Sequence, residues 1–348
     1  MKSLITFASI SIFATIVTSQ NSTYKRGLTD HFIQFLNLNK NYYPYNFNRT
    51  EFFGGSFGGK DNDTQPINKV PVVFVHGAAD MVIGEEWAND GFRYDIEYFL
   101  QNGYTKAELY GSMWGFADLA GEYNLKHDTE YVIAIRRFLE AVLDYTGAAK
   151  IDVISHSMGV ALSRAAIKGG KYLLRDIGYI NLKPINKNVR TYIGIAGLSY
   201  GALVCTEAFY YDNFLGCNKF NGYYPGVLDK YNKVVNVSEF LNNLNKDKTK
   251  EGDQAYAILS LFDSPKTYND KYNSAFPTMD MAFIFNSSEY DHVGVRDKTQ
   301  EFQLRLLNSY HPSEIQETEF MFMTKSQGPK NVQDDEENEE EKQGNFLE

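Results

Sequence analysis

The segment Ser155-His-Ser-Met-Gly159 contains a serine hydroxyl in a setting that suits nucleophilic catalysis. It lies between an apolar run, Ile151-Asp-Val-Ile154, and a helical pattern. A serine on such a strand–turn–helix junction is exposed at the end of a buried strand, where it can attack a carbonyl carbon. Because the turn is tight, the residues two before and two after Ser157 must be small. Ser155, which stands where a glycine is usual, and Gly159 both meet this requirement.

A serine nucleophile needs a base, and position along the chain separates the six histidines. In this arrangement the chain order is serine, acid, histidine. Three histidines precede Ser157, and a fourth lies inside the turn and is expected to point away from the active face: His31, His76, His127 and His156. His311 follows the last helix and is expected at the surface. His292 follows the last apolar strand and precedes the final helix, so it is the predicted base.

The acid that orients this base must follow the penultimate core strand. The apolar run from Ala255 to Phe262 ends at Asp263, which is therefore the predicted acid. A turn aspartate at the Ser264-Pro265 bend is the competing interpretation. Rival acids are Asp270 and Asp280, whereas Asp291 is adjacent to the histidine and poorly placed to orient it.

The developing oxyanion needs two backbone N–H donors. Met158, directly after the nucleophile, lies at the start of the helix and supplies one. The loop after the first core strand contains His76-Gly77-Ala78, where Gly77 permits close approach of the backbone. The Ala78 N–H is the predicted second donor, although a His-Gly pair after a strand is also common in plain turns.

The elements that must position these residues alternate between strands and helices. Buried strands are predicted over Pro71–Val75, Ala107–Tyr110, Ile151–Ile154, Val189–Ile195, Ala255–Leu261 and Met281–Phe285. Helices are predicted over Tyr94–Gln101, Asp128–Tyr145, Met158–Lys168 and Asp297–Asn308. This order indicates a mostly parallel sheet with helices on both faces, an α/β-hydrolase fold within residues 20–325. Residues 20–69 lack clear periodicity and are expected to form an extended arm over the core.

The net charge of the chain argues against one class of partner, and its distribution marks the C-terminal segment. The net charge of −10 argues against a nucleic-acid partner, which would require a basic patch. From Lys325 onward there are eight acidic residues and three lysines, so the rest of the chain is only mildly acidic. The polar segment 326–348 is expected to be disordered.

The first nineteen residues resemble a secretory signal peptide. Lys2 precedes an uncharged, largely apolar stretch from Leu4 to Val17, and small residues suit cleavage before Gln20. An uncleaved membrane anchor is the alternative, but the stretch is shorter than the ~20 residues that a span requires. No later segment has the composition of a transmembrane helix. In a secreted protein the sequence N-x-[ST] is an acceptor for N-glycosylation, and the chain has five such sequons, at Asn21, Asn48, Asn62, Asn236 and Asn286.

The only two cysteines, Cys205 and Cys217, are predicted to pair in an oxidising compartment, and no histidine lies near enough to favour a metal site. They fall in the segment 198–226, which is rich in tyrosine and phenylalanine. We expect this segment to be either a disulfide-tied lid that lines an apolar acyl pocket or a surface excursion whose aromatic residues pack on the core.

Four stretches together resemble the class 2 lipases, a family that includes small bacterial triacylglycerol lipases and secreted nematode lipase-related proteins. They are Val72–Gly77, Tyr104–Tyr110, Asp144–Lys150 and Val153–Gly159. The resemblance implies hydrolysis of lipid esters without a metal or an organic cofactor. It also implies the roles given above for Ser157, Asp263, His292, Ala78 and Met158. A non-catalytic lipid-binding protein and an acyltransferase or thioesterase remain as alternatives. The Ala79-Asp80 pair after His-Gly departs from the family pattern.

Overall fold

The centre of the fold is a sheet of nine strands. A computed structural model describes residues 25–85, 89–174, 178–264, 274–308 and 320–324. Several predictions lie outside these residues: the signal peptide 1–19, the tail 326–348, the sequon at Asn21, and the rival residues Asp270 and His311.

The sheet is mostly parallel, with the order β1-β2-β4-β3-β5-β8-β11-β12-β13. Only the β2–β4 and β12–β13 pairs among these neighbours are antiparallel. Its strands are β1 (Gly27–Leu28), β2 (Ser56–Gly58), β3 (Val72–Val75), β4 (Leu109–Ser112), β5 (Ile151–His156), β8 (Val189–Ile195), β11 (Gln254–Ser260), β12 (Met281–Phe285) and β13 (Phe320–Thr324). Two small hairpins lie outside it, made by β6 (Gly170–Leu174) with β7 (Gly178–Leu182) and by β9 (Val227–Leu228) with β10 (Val234–Val235).

Helices cover both faces of this sheet, because successive side chains of a buried strand point to opposite sides. Val73 and Val75 pack on one face with α1, α3, α4 and α6, whereas Val72 and Phe74 pack on the other with α2, α7 and α8. The helices are α1 (Asp30–Leu38), α2 (Arg93–Gln101), α3 (Thr129–Thr146), α4 (Met158–Lys168), α5 (Ala208–Asn213), α6 (Glu239–Lys246), α7 (Gly294–Asp297) and α8 (Gln300–Asn308). The predicted α/β-hydrolase fold is confirmed.

The core strands and helices lie where the periodicity predicts them, within one or two residues at most ends. Gly147 ends α3 in the left-handed conformation, at φ 67°, as expected of a glycine in that position. The predicted final helix over Asp297–Asn308 corresponds to α8, which begins at Gln300, and a separate short helix, α7, ends at Asp297. No helix of the described residues has the length and apolar character needed to span a membrane.

The N-terminal arm differs from the prediction of an extended segment. Within residues 25–69 it forms the nine-residue helix α1, capped by the side chain of Thr29, and contributes β1 and β2 to one edge of the sheet. Phe32 in α1 is fully buried and stacks on Tyr145 of α3, with ring centroids 4.3 Å apart. The arm is therefore part of the core.

The segment 198–226 is bound together by the predicted disulfide between Cys205 and Cys217, whose Cα atoms lie 4.9 Å apart. It contains α5 and short 3-10 turns. Some of its aromatic residues are buried, namely Tyr223 and Tyr224, and others are exposed, namely Phe209 and Phe220. The buried pair packs on the core, as expected of a surface excursion, and the role of the segment as a lid stays a prediction.

Candidate active site

The predicted site residues meet at the carboxyl edge of the sheet. Ser157 directly follows β5, Ala78 follows β3, Asp263 follows β11 and His292 follows β12. Because parallel strands end at the same edge, residues far apart in the sequence come together there.

Ser157 lies in a strained turn between β5 and α4. Its backbone has φ 52° and ψ −127°, a region that costs a non-glycine residue about 1–3 kcal/mol. The neighbours satisfy the expectation of small residues. A Cβ atom on Gly159 would lie 2.3 Å from the carbonyl oxygen of His76, so α4 packs directly on the loop after β3. The Ser155 hydroxyl is buried and is hydrogen-bonded to the Ser163 hydroxyl at 2.8 Å.

A chain of hydrogen bonds joins the three predicted triad residues. The Ser157 hydroxyl donates to His292 Nε2 at 2.8 Å, and His292 Nδ1–H donates to Asp263 Oδ1 at 2.7 Å. The second oxygen of Asp263 is buried and has no hydrogen-bond partner among the described residues. The described rival acid, Asp280, accepts from the Ala255 N–H, and Asp291, next to the histidine, accepts from the Gly294 N–H.

The electrostatic surroundings of His292 favour its charged form. Burial alone lowers the pKa of His292, but the charge and hydrogen bond of the Asp263 carboxylate outweigh it, so the pKa is raised above 6.5. The Arg296 guanidinium opposes this rise in pKa, and the Glu122 carboxylate adds to it. The imidazole can thus accept a proton and share the resulting charge with Asp263.

His156 differs from the expectation that it points away from the site. Its Nε2–H donates to the backbone oxygen of His292 at 2.8 Å, and the two rings lie 4.9 Å apart between centroids. Burial lowers the pKa of His156 well below its usual range, so it is a neutral donor. The residue before the nucleophile therefore holds the loop of the base, which the sequence did not indicate.

A second contribution that the sequence did not indicate is a buried ionic cluster around Arg296. Its guanidinium donates to Asp80 Oδ2 at 2.6 Å, to Asp90 Oδ1, and to Asp297 Oδ1 at 2.6 Å. Asp80 belongs to the loop that follows β3, and Arg296 lies in α7, directly after the loop of His292. The cluster therefore ties these two loops together, and it explains the unusual Asp80.

The predicted oxyanion donors, the N–H groups of Met158 and Ala78, belong to the two segments next to Ser157. Met158 is the first residue of α4, where backbone N–H groups have no partner inside the helix. Gly77 precedes Ala78 and packs against Ser157, since a Cβ atom on Gly77 would lie 3.0 Å from Ser157 Cβ. The described residues include no group of three or more histidine, cysteine or acidic side chains arranged to hold a metal ion.

Comparison with known proteins gives one family match and several similar structures. The profile of the family described as lipase (class 2) matches residues 69–305. The structure is similar to that of Aspergillus fumigatus lipase B, with 13% identity and a TM-score of 0.46 over 75% of this chain. The chain spans 58% of the length of that protein. It is also similar to mature Bacillus licheniformis lipase BlEst2, with 15% identity and a TM-score of 0.42, over 73% of this chain and 98% of that one.

Proposed function

The chain belongs to the class 2 lipase family, and on that basis we propose that it is a secreted enzyme that hydrolyses carboxylic esters of lipids. The observation that carries the proposal is the hydrogen-bonded chain from Ser157 through His292 to Asp263 at a strained strand–helix turn. A non-catalytic lipid-binding protein would gain nothing from a serine held at positive φ within hydrogen-bond distance of a histidine.

The proposed reaction is acyl transfer through a covalent intermediate. Ser157 Oγ attacks the ester carbonyl as His292 Nε2 takes its proton, and Asp263 keeps the other imidazole nitrogen protonated. The backbone N–H groups of Met158 and Ala78 stabilise the tetrahedral oxyanion, at about 3 kcal/mol for each donor. His292 then protonates the leaving alcohol, and water, activated by the same base, releases the acid.

The proposal is tested with a fluorophosphonate probe and a chromogenic acyl ester. Wild-type protein should react with the probe and hydrolyse the ester, and Ser157→Ala should do neither while it unfolds at the same temperature. Asp263→Asn should lower kcat by about 10³–10⁴-fold, because the imidazole is no longer held in the useful tautomer. Asp280→Asn, at the rival acid, is the matched control and should keep full activity.

Two results would decide against this proposal. Wild-type protein that binds a fluorescent fatty acyl ester without turnover and without probe labelling would favour the lipid-binding alternative. Transfer of the acyl group to an added acceptor alcohol in preference to water would favour an acyltransferase.

Secretion is the second part of the proposal. It is supported by the signal-like N-terminus, the disulfide between Cys205 and Cys217, and the exposure of three sequon asparagines, Asn62, Asn236 and Asn286. Asn48 is half-buried. Expression in a secreting eukaryotic host should give medium-borne protein whose mass falls on treatment with an amidase that removes N-glycans. Protein retained in the cell and unaffected by that treatment would contradict secretion.

A further inference from the structure

His76, in the loop after β3, is held in a single protonation and tautomeric state. The backbone N–H of Trp114 donates to His76 Nε2 at 3.2 Å, so that nitrogen must be unprotonated. The other nitrogen, Nδ1, therefore bears the hydrogen and donates it to the backbone oxygen of Gly77 at 2.8 Å. Burial lowers the pKa of His76 to about 3, which keeps the ring neutral at physiological pH.

The hydrogen bond from His76 fixes the orientation of one peptide unit beside the nucleophile. The carbonyl of Gly77 and the N–H of Ala78 belong to the same planar, trans peptide, and they point in opposite directions. Holding the Gly77 oxygen toward His76 therefore turns the Ala78 N–H away from it. Because Gly77 packs on Ser157, this peptide borders the space that a bound acyl group would occupy.

The ring of His76 is itself positioned by Trp114 and Arg49. The His76 and Trp114 rings are stacked, with centroids 5.0 Å apart and planes 6° apart, and Trp114 Nε1–H donates to the His76 backbone oxygen at 3.0 Å. Arg49 is hydrogen-bonded to the residues on both sides of Trp114. Its Nη1 donates to the Met113 oxygen at 2.6 Å and its Nη2 to the Gly115 oxygen at 2.7 Å.

Arg49 lies in the N-terminal arm, before the segment 69–305 that matches the family profile. Its own position is constrained, since its Nε donates to Glu51 Oε1 at 2.7 Å and its backbone has φ 48°. A left-handed backbone is costly for arginine, and its presence here indicates that the surrounding contacts hold the residue in place. The contacts thus run without a gap from the arm to the Gly77–Ala78 peptide.

We infer that His76 and Arg49 are positioning residues for the oxyanion hole, and that the N-terminal arm is therefore part of the catalytic apparatus. His76 acts through the carbonyl of Gly77, and Arg49 acts through the segment that contains Trp114. The inference rests on the proposed function, since it requires that the Ala78 N–H stabilise a transition state. A positioning role of this kind should change kcat while substrate affinity stays the same, because the oxyanion forms only in the transition state.

The decisive comparison is between His76→Phe and His76→Asn. Phenylalanine can still stack on Trp114 but cannot donate to Gly77, whereas the asparagine amide places an N–H close to the position of Nδ1. His76→Phe should lower kcat by about 10–100-fold with KM within about twofold of wild type. In His76→Asn most of the wild-type kcat should be retained. All rates are measured per active site titrated with the fluorophosphonate probe, so unfolded molecules do not contribute.

A second readout uses an alkyl boronic acid, which forms a tetrahedral adduct with the serine. The inhibition constant of this adduct should rise in His76→Phe by the same factor by which kcat/KM falls. Arg49→Gln should lower kcat by about 3–10-fold, and Arg49→Lys, which cannot reach both carbonyls at once, should be intermediate. The control is Arg137→Gln. Arg137 is hydrogen-bonded to Tyr45 of the arm and to Glu140, neither of which belongs to the segment of Trp114, and its loss should leave kcat unchanged.

The outcomes separate the two proposals. Wild-type protein without ester turnover overturns the proposed function, and this inference with it. Wild-type turnover with equal kcat per titrated site in His76→Phe and His76→Asn overturns the positioning role of His76 alone. An Arg49→Gln variant as active as Arg137→Gln overturns the role of the arm.

Discussion

Replacing Arg296 tests whether the ionic cluster holds the two loops beside the nucleophile. The side chain of Arg296 is 1% exposed, and it is paired with Asp80, Asp90 and Asp297, which are all nearly buried. Arg296→Gln removes the cation that these three carboxylates share and leaves them close together. Removing one partner of a buried ion pair costs about 3–5 kcal/mol, because the remaining charge is unpaired and poorly solvated. We expect a loss of this size at alkaline pH.

The loss should depend on pH in a defined direction. Burial already raises the pKa values of Asp80, Asp90 and Asp297, and without Arg296 they should rise further. A carboxyl whose pKa is higher in the folded state binds protons on folding, so stability falls as pH rises from the unfolded toward the folded pKa. The defect of Arg296→Gln should therefore be smaller at about pH 5 than at about pH 8.

Thermal unfolding at these two pH values measures the effect. For a chain of this size, with an unfolding entropy of about 2.1 cal/mol/K per residue, 1 kcal/mol corresponds to about 1.5 °C, so the variant should unfold about 5–7 °C below wild type at the higher pH. Adding Asp80→Asn to the variant should recover part of the loss, since one unpaired charge is removed. The control is Arg305→Gln, whose ion pair with Glu301 is exposed and should matter little. A shift below about 2 °C, or one that is equal at both pH values, would refute the reasoning.

Three further predictions follow from single contacts. The acid limb of kcat/KM should lie above pH 6.5, because protonated His292 cannot accept the serine proton; a pH–rate profile checks this. Burial raises the pKa of Asp95 well above 3.8, so the wild-type free energy of unfolding should fall as pH rises from about 5 to about 8. Asp95→Asn removes this titration, and its free energy of unfolding, measured with urea, should change less over the same range. Gly159→Ala places a Cβ atom 2.3 Å from the backbone oxygen of His76, so probe labelling and the unfolding temperature should both fall.

The sequence predicted what depends on local pattern and chain order. The apolar runs gave the core strands, and the short motif around Ser157 fixed the expected positions of Asp263 and His292 through the order of the fold. The roles of these three residues stay predictions until activity is measured. Arg296 could not be linked to Asp80 in this way, since 216 residues separate them and their pairing depends on how two loops pack.

The N-terminal arm escaped prediction for a related reason. Its strands β1 and β2 have only two and three residues, too few to give a periodic pattern. Strand β2 forms because the edge of β4 is available for pairing, and β1 then pairs with β2. Arg49 similarly resembles any surface arginine in the sequence. Its function depends on two backbone oxygens, at Met113 and Gly115, that only tertiary structure brings within reach.

The surroundings of the three histidines near Ser157 are consistent with one physical requirement. A base that becomes an imidazolium in the transition state is destabilised by any like charge nearby. His76 and His156 are both buried, burial lowers the pKa of each, and each gives its one hydrogen to a backbone oxygen. They contribute directed donors without charge. His292 is the one with a carboxylate partner, so in the proposed reaction its positive charge would form where Asp263 can stabilise it. In the proposed mechanism His76 and His156 are therefore neutral supports for a single charged base, His292.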